Sequence, residues 1–319
     1  MDANLVKQNL PSLLVVDDQP INIQTLYQIF SDTLQVRVAT TGAQALDACA
    51  EQLPDLILLD VMMPGMDGHE VCRRLKADAH TKDIPIIFVT AQNDPHDEAL
   101  GLELGAVDFI TKPVNAAVVR ARVNTHLQLR QALDQVRKMA FHDALTGLPN
   151  RRLLGDRLAQ VMVASKRSGH YAALMFLDLD NFKPLNDLHG HETGDQLLRD
   201  AAKRLLACVR ETDTVARFGG DEFVVLLSGL NTDLVESTNR ARAIAENIRI
   251  CLAEPYCLTL KQEGKQPTIL KHQCTGSIGV ALFLGQNSSP VEVLKWADTA
   301  MYQAKEAGRN QICSFSMAK

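Results

Sequence analysis

The sequence predicts an α/β protein of two domains, the first of them built on a parallel sheet. Short apolar runs alternate with segments of helical spacing in the first half, which is typical of parallel strands covered on both faces. In the second half a Gly-Gly pair separates two strand-like runs, and this pattern predicts a β-hairpin. At 319 residues the chain is long enough for each half to bury its own core.

Composition and charge exclude several classes of protein. The net charge of −5 predicts neither broad binding to nucleic acid nor attraction to anionic membranes. The seven cysteines include no Cys-x-x-Cys pair, so reduced thiols are expected rather than a zinc or disulfide framework. No apolar run reaches the length of a membrane span, and the first residues lack a signal-peptide pattern. We therefore expect a cytoplasmic protein that neither inserts into membranes nor binds nucleic acid.

Polar residues stand at the ends of the four apolar runs in the first half. Asp17 and Asp18 follow the first run and Asp60 follows the second, while Thr90 and Lys112 end the third and fourth. Because the carboxyl ends of parallel strands meet at one edge of a sheet, these five side chains are predicted to share a crevice. The runs are Leu13–Val16, Leu56–Leu59, Ile84–Val89 and Val107–Thr111, and the helical segments between them include Ile21–Phe30, Ala43–Gln52 and Glu70–Ala77.

The three acids of this crevice predict a Mg²⁺ site, because clustered carboxylates repel one another unless a cation neutralises them. Beside such an ion, Asp60 can accept a phosphoryl group, and Lys112 and Thr90 can hold its oxygens. The alternative is that polar residues stand at strand ends merely to avoid burial. It is plausible for any one of the five residues, but improbable for all five at successive strand ends.

The first half resembles the receiver domain of two-component response regulators, from Leu13 to about Val123. The resemblance rests on the acidic pair, the run Asp60-Val-Met-Met-Pro-Gly-Met-Asp-Gly, the threonine and the Lys-Pro pair. It implies a flavodoxin-like (βα)5 domain over residues 10–125 and a histidine kinase as phosphodonor. The implied roles are phosphoacceptor for Asp60, metal ligands for Asp17 and Asp18, phosphate-sensing switch for Thr90 and Lys112, switch aromatic for Phe109, and a cis peptide bond before Pro113.

Residues 114–142 are predicted to form a long linking helix, because Val114 to Ala140 contains no glycine or proline. Apolar residues recur three and four positions apart along it, which favours a narrow coiled-coil seam. The seam comprises Leu129, Ala132, Val136 and Met139. The alternative is a surface helix that packs one stripe on its own domain. We prefer a stalk that joins two copies of the chain into a homodimer.

The second half is organised around Arg217-Phe-Gly-Gly-Asp-Glu-Phe223. Gly219 and Gly220 are expected to form the two-residue turn of the hairpin, because both positions of such a turn require positive φ. A turn without Cβ atoms lets a ligand approach the backbone closely.

Two acids follow this turn at once. Asp221 and Glu222 are expected to meet Asp178, which follows the apolar run Ala172–Leu177. Together they offer enough oxygen ligands for one or two Mg²⁺ ions. If this motif occurred alone, the favoured interpretation would be an ordinary hairpin whose acids are exposed to solvent.

Four further polar residues suit a guanine nucleotide. Asn186 and Asp195 offer donors and acceptors that complement the edge of a guanine. Lys305 and Arg309 are four residues apart in a predicted helix, so both are expected to reach one phosphate group from one helix face.

From about Asp143 to Cys313 the chain resembles the GGDEF diguanylate cyclases. The resemblance implies a nucleotidyl cyclase or palm-like mixed sheet over residues 143–319, with Mg²⁺ or Mn²⁺ as cofactor, GTP as substrate and cyclic di-GMP as product. The implied metal ligands are Asp178, the backbone carbonyl of Leu179 and Asp221, with Glu222 close by. Asp221 is also the implied base, Asn186 and Asp195 the guanine ligands, Lys183, Lys305 and Arg309 the triphosphate ligands, and Gly219 and Gly220 the backbone next to the substrate.

Arg210 and Asp213 lie shortly before the Gly-Gly pair, at the offset where this family keeps an inhibitory product site. Arginine can grip a guanine edge or a phosphate, and aspartate can accept from guanine. The alternative is an exposed ion pair of little energetic value. Either Arg240 or Arg242 would add a second arginine. Residues 256–273 read as an extended hairpin, longer than the usual family pattern and without an assigned function.

The leading hypothesis is a diguanylate cyclase whose activity is controlled by phosphorylation of Asp60 through the arrangement of its dimer. The alternative is a catalytically silent protein that binds cyclic di-GMP at Arg210 and Asp213. A DNA-binding response regulator is not favoured, because the sequence has neither a helix-turn-helix segment nor a basic face.

Overall fold

Two five-stranded sheets organise the chain, one on each side of a division between Val136 and Arg137. The computed structural model describes residues 10–91, 95–260, 268–285 and 288–315, with the backbone alone over 95–98. Within these ranges the chain forms ten helices and twelve strands. No helix in the described ranges combines the length and the apolarity needed to cross a bilayer.

The first sheet is entirely parallel, with the strand order β2-β1-β3-β4-β5. Four of its strands match the predicted apolar runs, so the predicted parallel sheet is confirmed. The fifth strand, β2, lies at the edge, alternates in polarity and was missed by the sequence reasoning. The strands are β1 Ser12–Val16, β2 Gln35–Ala39, β3 Leu56–Asp60, β4 Ile86–Thr90 and β5 Asp108–Thr111.

Helices connect these strands and cover both faces of the sheet. Local signals set where two of them begin: the Thr41 hydroxyl accepts from the Gln44 N–H, and the Asp67 carboxylate accepts from the Glu70 N–H. Apolar side chains from both faces of the sheet are buried, so the sheet forms the middle of three layers. The helices are α1 Pro20–Phe30, α2 Gly42–Glu51, α3 Gly68–Ala77 and α4 Pro95–Glu103.

The predicted linking helix is present as α5, Ala116–Phe141. Its first part buries an apolar stripe against the first sheet, formed by Val119, Val123 and Leu127. Its later apolar residues are exposed instead: Leu129 by 54%, Leu133 by 53%, Val136 by 58% and Met139 by 70%. The same helix therefore changes from a packed element to one with an uncovered apolar stripe.

The second sheet is mixed, with the strand order β12-β11-β6-β8-β7. The central strand β6 is antiparallel to β8 and β11, whereas β11 and β12 are parallel. This confirms the mixed sheet that the resemblance implied. The strands are β6 Ala172–Asp180, β7 Thr214–Gly219, β8 Glu222–Leu227, β11 Thr275–Phe283 and β12 Ile312–Ser314.

Five helices pack around this sheet: α6 Arg151–Ser168, α7 Phe182–His189, α8 His191–Ala207, α9 Leu234–Ala253 and α10 Pro290–Glu306. Two buried clusters cover its two faces. The predicted extended hairpin is confirmed as the antiparallel pair β9 Tyr256–Leu260 and β10 Thr268–His272. Residues 261–267, which the same prediction includes, lie outside the described residues.

Candidate active site

The hairpin turn lies one residue later than the sequence suggested. β7 runs through Gly219, which pairs with Glu222, so Gly220 and Asp221 form the turn. An irregularity between Arg217 and Gly219 shifts the register by one residue. The expectation that both glycines occupy the turn is therefore wrong: only Gly220 has positive φ (52°), and the turn carries the Asp221 side chain.

Three acids meet at this turn. Asp178 lies opposite Glu222 in the pairing of β6 with β8. The backbone N–H of Leu179 donates to the carbonyl of Asp221 at 3.3 Å, which joins the turn to the end of β6. The structure thus brings together the acids that the sequence predicted to meet.

Burial and mutual repulsion act on these acids. Burial raises the pKa of Asp178, the hydrogen bond from Lys305 opposes it, and the charge of Asp221 adds to the rise. Burial is also the largest influence that raises the pKa of Glu222, and the negative charges of Asp178 and Asp221 raise it further. A divalent cation would relieve this repulsion, so the donor set fits a hard metal ion.

Lys305 and Arg309 lie in different backbone environments, and only Lys305 has a described contact with the acids. Lys305 lies in the last turn of α10, and its Nζ is 2.7 Å from Asp178 Oδ2. The expectation that Arg309 shares a helix face with it is wrong, because α10 ends at Glu306 and Arg309 has a φ of 64°. Arg309 is exposed in the turn that leads to β12.

The predicted guanine ligands lie on two adjacent helices. Asn186 is in α7, and a Cβ added to Gly194 of α8 would lie 1.8 Å from Asn186 Oδ1, so a larger residue there would displace the Asn186 amide. The Asn186 Oδ1 atom is buried and accepts no hydrogen bond from the described residues. Asp195 follows Gly194 and lines a cavity of about 580 Å³. Lys183 is exposed in the first turn of α7.

Arg217 holds the turn in place, a role that the sequence reasoning missed. Its Nε and Nη2 donate to the Gly220 carbonyl at 3.0 and 2.7 Å, and its Nη1 lies 3.1 Å from both oxygens of Asp143. Burial tends to raise the pKa of Asp143, but hydrogen bonds from Thr146 and Arg217 outweigh it and lower the pKa. The available signal was the position of Arg217 at the start of the Gly-Gly motif.

Arg210 and Asp213 lie in the turn between α8 and β7. The Arg210 backbone N–H donates to Asp213 Oδ2 at 3.2 Å, and the Ser228 N–H donates to Asp213 Oδ1 at 3.3 Å. The contact between the two residues thus runs through the backbone, not through the guanidinium group. The Arg210 side chain is exposed.

The first unit contains a second acidic cluster. Asp17, Asp18 and Asp60 place carboxylate oxygens within 4.8 Å of one another. Lys112 Nζ lies 2.8 Å from Asp17 Oδ2 and 2.9 Å from Asp60 Oδ2. Asp18 Oδ1 is buried and accepts no hydrogen bond from the described residues, which fits a metal ligand.

Burial raises the pKa of Asp60, and the charge of Asp17 contributes in the same direction against the hydrogen bond from Lys112. Burial lowers the pKa of Lys112, but its bonds to Asp17 and Asp60 outweigh this and raise it. The lysine therefore remains charged between the two acids.

Thr90 and Phe109, the other residues predicted to act in the switch, lie on the neighbouring strands β4 and β5. Thr90 is buried at the end of β4, and its carbonyl accepts from the Lys112 N–H at 2.7 Å. The Lys112–Pro113 bond is cis, as expected. Phe109 is half-buried, and the Arg122 guanidinium of α5 lies 5.6 Å from its ring centre and donates to its carbonyl at 2.9 Å. Phe109 is thus in direct contact with the linking helix.

Comparisons with known proteins agree with both halves of the chain. The family described as "Diguanylate cyclase, GGDEF domain" matches residues 140–311, and the response regulator receiver domain matches residues 13–124. The response regulator PleD of Caulobacter vibrioides is 28% identical over 94% of this chain and 98% of its own length. The bifunctional diguanylate cyclase/cyclic di-GMP phosphodiesterase MucR of Pseudomonas aeruginosa is 40% identical over 59% of this chain, but only 25% of its own length is matched.

A solved structure supports the fold of the second half. The coiled coil and GGDEF domain of DgcB from Caulobacter crescentus, in complex with c-di-GMP, has 29% identity and a TM-score of 0.52. The match covers 62% of this chain and 97% of that one. The chain therefore belongs to the GGDEF diguanylate cyclase family, and its GGDEF domain follows a response regulator receiver domain.

Proposed function

We propose that this protein is an active diguanylate cyclase, which joins two molecules of GTP into cyclic di-GMP and releases two pyrophosphates. One observation carries the proposal: Asp178, Asp221 and Glu222 converge from two strands and a turn at one end of a buried sheet. A site that concentrates carboxylates beside a lysine suits a metal-bound triphosphate.

The cation, Mg²⁺ or Mn²⁺, would be held by Asp178, the Leu179 carbonyl and Asp221, with Glu222 next to them. When bound, such an ion lowers the pKa of a hydroxyl group and stabilises charge on a leaving phosphate. Asp221 lies in the turn, where it can accept the proton of the attacking 3′-OH.

Basic and amide side chains of the chain would bind the nucleotide. Lys183, Lys305 and Arg309 supply positive charge for the triphosphate. Asn186 and Asp195 would read the guanine, and the buried Asn186 Oδ1 without a described partner supports this assignment. Each chain would thus bind one GTP.

The reaction requires two copies of the chain, because one site holds one GTP and the second must come from a partner. The exposed apolar stripe of α5, with Leu129, Leu133, Val136 and Met139, supports a second copy as that partner. The spacing of these residues suits a coiled coil.

Phosphorylation of Asp60 by a histidine kinase would control this dimer. A phosphoryl group on Asp60 would compete with the carboxylates for Lys112, which now bridges Asp17 and Asp60. The contact of Phe109 with Arg122 offers a route from this site to α5. Phosphorylation would then shift the populations of dimer arrangements that already exist, without creating a new arrangement.

The product would inhibit at Arg210 and Asp213. The exposed guanidinium of Arg210 is available to a phosphate or guanine edge, and the Asp213 carboxylate is held in position by two backbone N–H groups. The second arginine of the site would be Arg240 or Arg242 on α9.

The decisive experiment incubates the full chain with GTP and Mg²⁺ and measures cyclic di-GMP and pyrophosphate together. We expect both products in a ratio of one to two. The Asp221→Asn variant should lose at least about a hundredfold in kcat, and the exposed control Asp156→Asn should not. If the parent binds cyclic di-GMP but makes no pyrophosphate, the protein is a silent binding protein and the proposal is wrong.

A further inference from the structure

Asp180 is a buried carboxylate to which the proposed chemistry assigns no role. It ends β6, two residues after Asp178 and on the same face of the strand, since side chains alternate between faces. Only 3% of its surface is exposed. A buried carboxylate is costly unless strong donors satisfy it, so its partners indicate what it holds in place.

Three donors from distant parts of the chain satisfy Asp180. Its Oδ1 accepts from the Ser277 hydroxyl at 2.7 Å. Its Oδ2 accepts from the Thr275 hydroxyl at 2.7 Å and from the backbone N–H of Asn310 at 3.1 Å. These bonds occupy most of the lone pairs of the carboxylate, so Asp180 differs from Asp178 in having little capacity left for a metal ion.

The backbone around Asp180 is strained in three places. Arg309 and Asn310 have φ values of 64° and 47°, and Asn181, directly after Asp180, has a φ of 58°. Over the described ranges these are the only non-glycine residues with positive φ. Each of them borders Asp180 along the chain or through the bond from Asn310. Strained backbone that gathers around one side chain indicates a constraint of function.

We propose that Asp180 is a positioning residue that fixes Arg309 against the phosphates of GTP by holding the backbone N–H of Asn310. The inference rests on the proposed function, in which Arg309 binds the triphosphate. Arg309 lies beyond the end of α10, and its own N–H donates to the Ala304 carbonyl of that helix at 3.0 Å. The bond from the next residue, Asn310, to Asp180 fixes the other side of Arg309.

A second contact supports the same turn from the other side. Arg249 Nη1 donates to Asn310 Oδ1 at 2.9 Å, so Asn310 is held through both its backbone and its side chain. An arginine on a fixed backbone loses less conformational freedom when it binds an anion, which favours binding.

The first test compares Asp180→Ala with the conservative variant Asp180→Asn. The alanine should raise the KM for GTP about tenfold or more and lower kcat much less, because one charge-assisted bond to the turn is lost. The KM of Asp180→Asn for GTP should stay within about threefold of the parent value. The asparagine oxygen can accept from Thr275 and Asn310, and its amide can donate to the Ser277 hydroxyl. Equal loss in both variants would indicate a role for the charge itself and overturn the proposal.

Two measurements separate positioning from general damage. In an Arg309→Ala background, Asp180→Ala should add little to the KM, since the group it positions is gone. As competitive inhibitors, GDP should lose affinity for Asp180→Ala, whereas guanosine, which lacks phosphates, should not. The proposal is contradicted if the effects of the two substitutions on the KM are fully additive, or if guanosine loses as much affinity as GDP. The Ser277→Ala variant is the matched control, because it removes a donor to Asp180 that does not belong to the turn.

If Asp180→Ala does not fold, Asn310→Val tests the same contact with Asp180 intact. A β-branched residue disfavours positive φ, so the exposed turn should rearrange and raise the KM for GTP to a similar degree. If the KM of Asn310→Val for GTP equals that of the parent protein, the inference is overturned. Absence of cyclase activity in the parent would instead defeat the proposed function, so the two failures are distinct.

Discussion

Lys305 Nζ donates to Asp178 Oδ2 across 2.7 Å and thereby joins the last turn of α10 to the end of β6. Burial is the main influence on the pKa of Asp178 and raises it, while the lysine acts in the opposite direction. Lys305 therefore helps to keep Asp178 ionised where burial and Asp221 favour the neutral acid.

Removing Lys305 should shift the pH dependence of the reaction. In Lys305→Met the pKa of Asp178 rises further, and a protonated carboxyl group cannot bind the cation. The acidic limb of kcat/KM should therefore move to higher pH, as measured in a series of buffers. Lys295→Met, exposed on the same helix, is the control. If both variants keep the acidic limb of the parent, Lys305 does not set the ionisation of Asp178.

Neutralising Glu222 should stabilise the protein without metal. Burial, Asp178 and Asp221 raise the pKa of Glu222, so the folded state binds its proton more tightly than the unfolded state does. Stability from this group is thus lost as the pH rises through the raised pKa. Near neutral pH, Glu222→Gln should have a higher Tm than the parent in EDTA and a smaller rise in Tm with Mg²⁺. Glu211→Gln, an exposed acid, should match the parent; a lower Tm for Glu222→Gln in EDTA would refute the argument.

Phosphorylation control predicts a specific loss in Asp60→Asn. A small phosphodonor should change the cyclase rate of the parent, because the phosphoryl group disrupts the bridge of Lys112 between Asp17 and Asp60. The rate of Asp60→Asn should not respond, whereas the exposed control Asp32→Asn should respond as the parent does. The measurement is the initial rate with and without the phosphodonor. Equal responses of parent and Asp60→Asn would end this control scheme.

Product inhibition should weaken in Arg210→Ala. The exposed guanidinium makes no described bond within the fold, whereas Asp213 accepts bonds from two backbone N–H groups. Replacing the arginine therefore tests the site without removing bonds that hold the fold. The concentration of cyclic di-GMP that halves the initial rate should rise about tenfold or more. Arg240→Ala and Arg242→Ala, measured in the same way, identify the second arginine. An unchanged inhibition curve for Arg210→Ala would remove this site from the protein.

A charge in the exposed stripe of α5 should weaken the dimer. Val136 is 58% exposed in one chain, and a coiled-coil partner would cover it. Val136→Glu should raise the dimer dissociation constant about tenfold or more, because a buried unpaired charge is costly. Sedimentation equilibrium measures this, with the exposed Gln135→Glu as control. Dimers of parental strength in Val136→Glu would show that the stripe is not the interface.

The sequence was most informative where the hydrophobic pattern is continuous. The apolar strands β1, β3, β4 and β6 and the polar residues at their ends were predicted, because buried parallel or central strands leave an uninterrupted apolar run. The edge strand β2 was missed, since its alternating residues lack that signal.

The remaining differences depend on contacts between distant residues. The turn of the hairpin was placed one residue too early, because the irregularity before Gly219 leaves no mark in the sequence. Arg309 lies between a backbone bond to Ala304 of α10 and the bond from Asn310 to Asp180, which is distant along the chain. The role of Asp180 was likewise hidden, since its donors come from β11 and from the turn before β12.

The anchored Gly220 carbonyl decides which acid occupies the tip of the hairpin. A slip of one residue between β7 and β8 would turn every side chain of the slipped strand to the opposite face and could bring Glu222 into the place of Asp221. The bonds from Arg217 to that carbonyl and to Asp143 oppose such a slip. The alignment of the acids is thus maintained by Arg217 of β7 together with Asp143, which lies outside the hairpin.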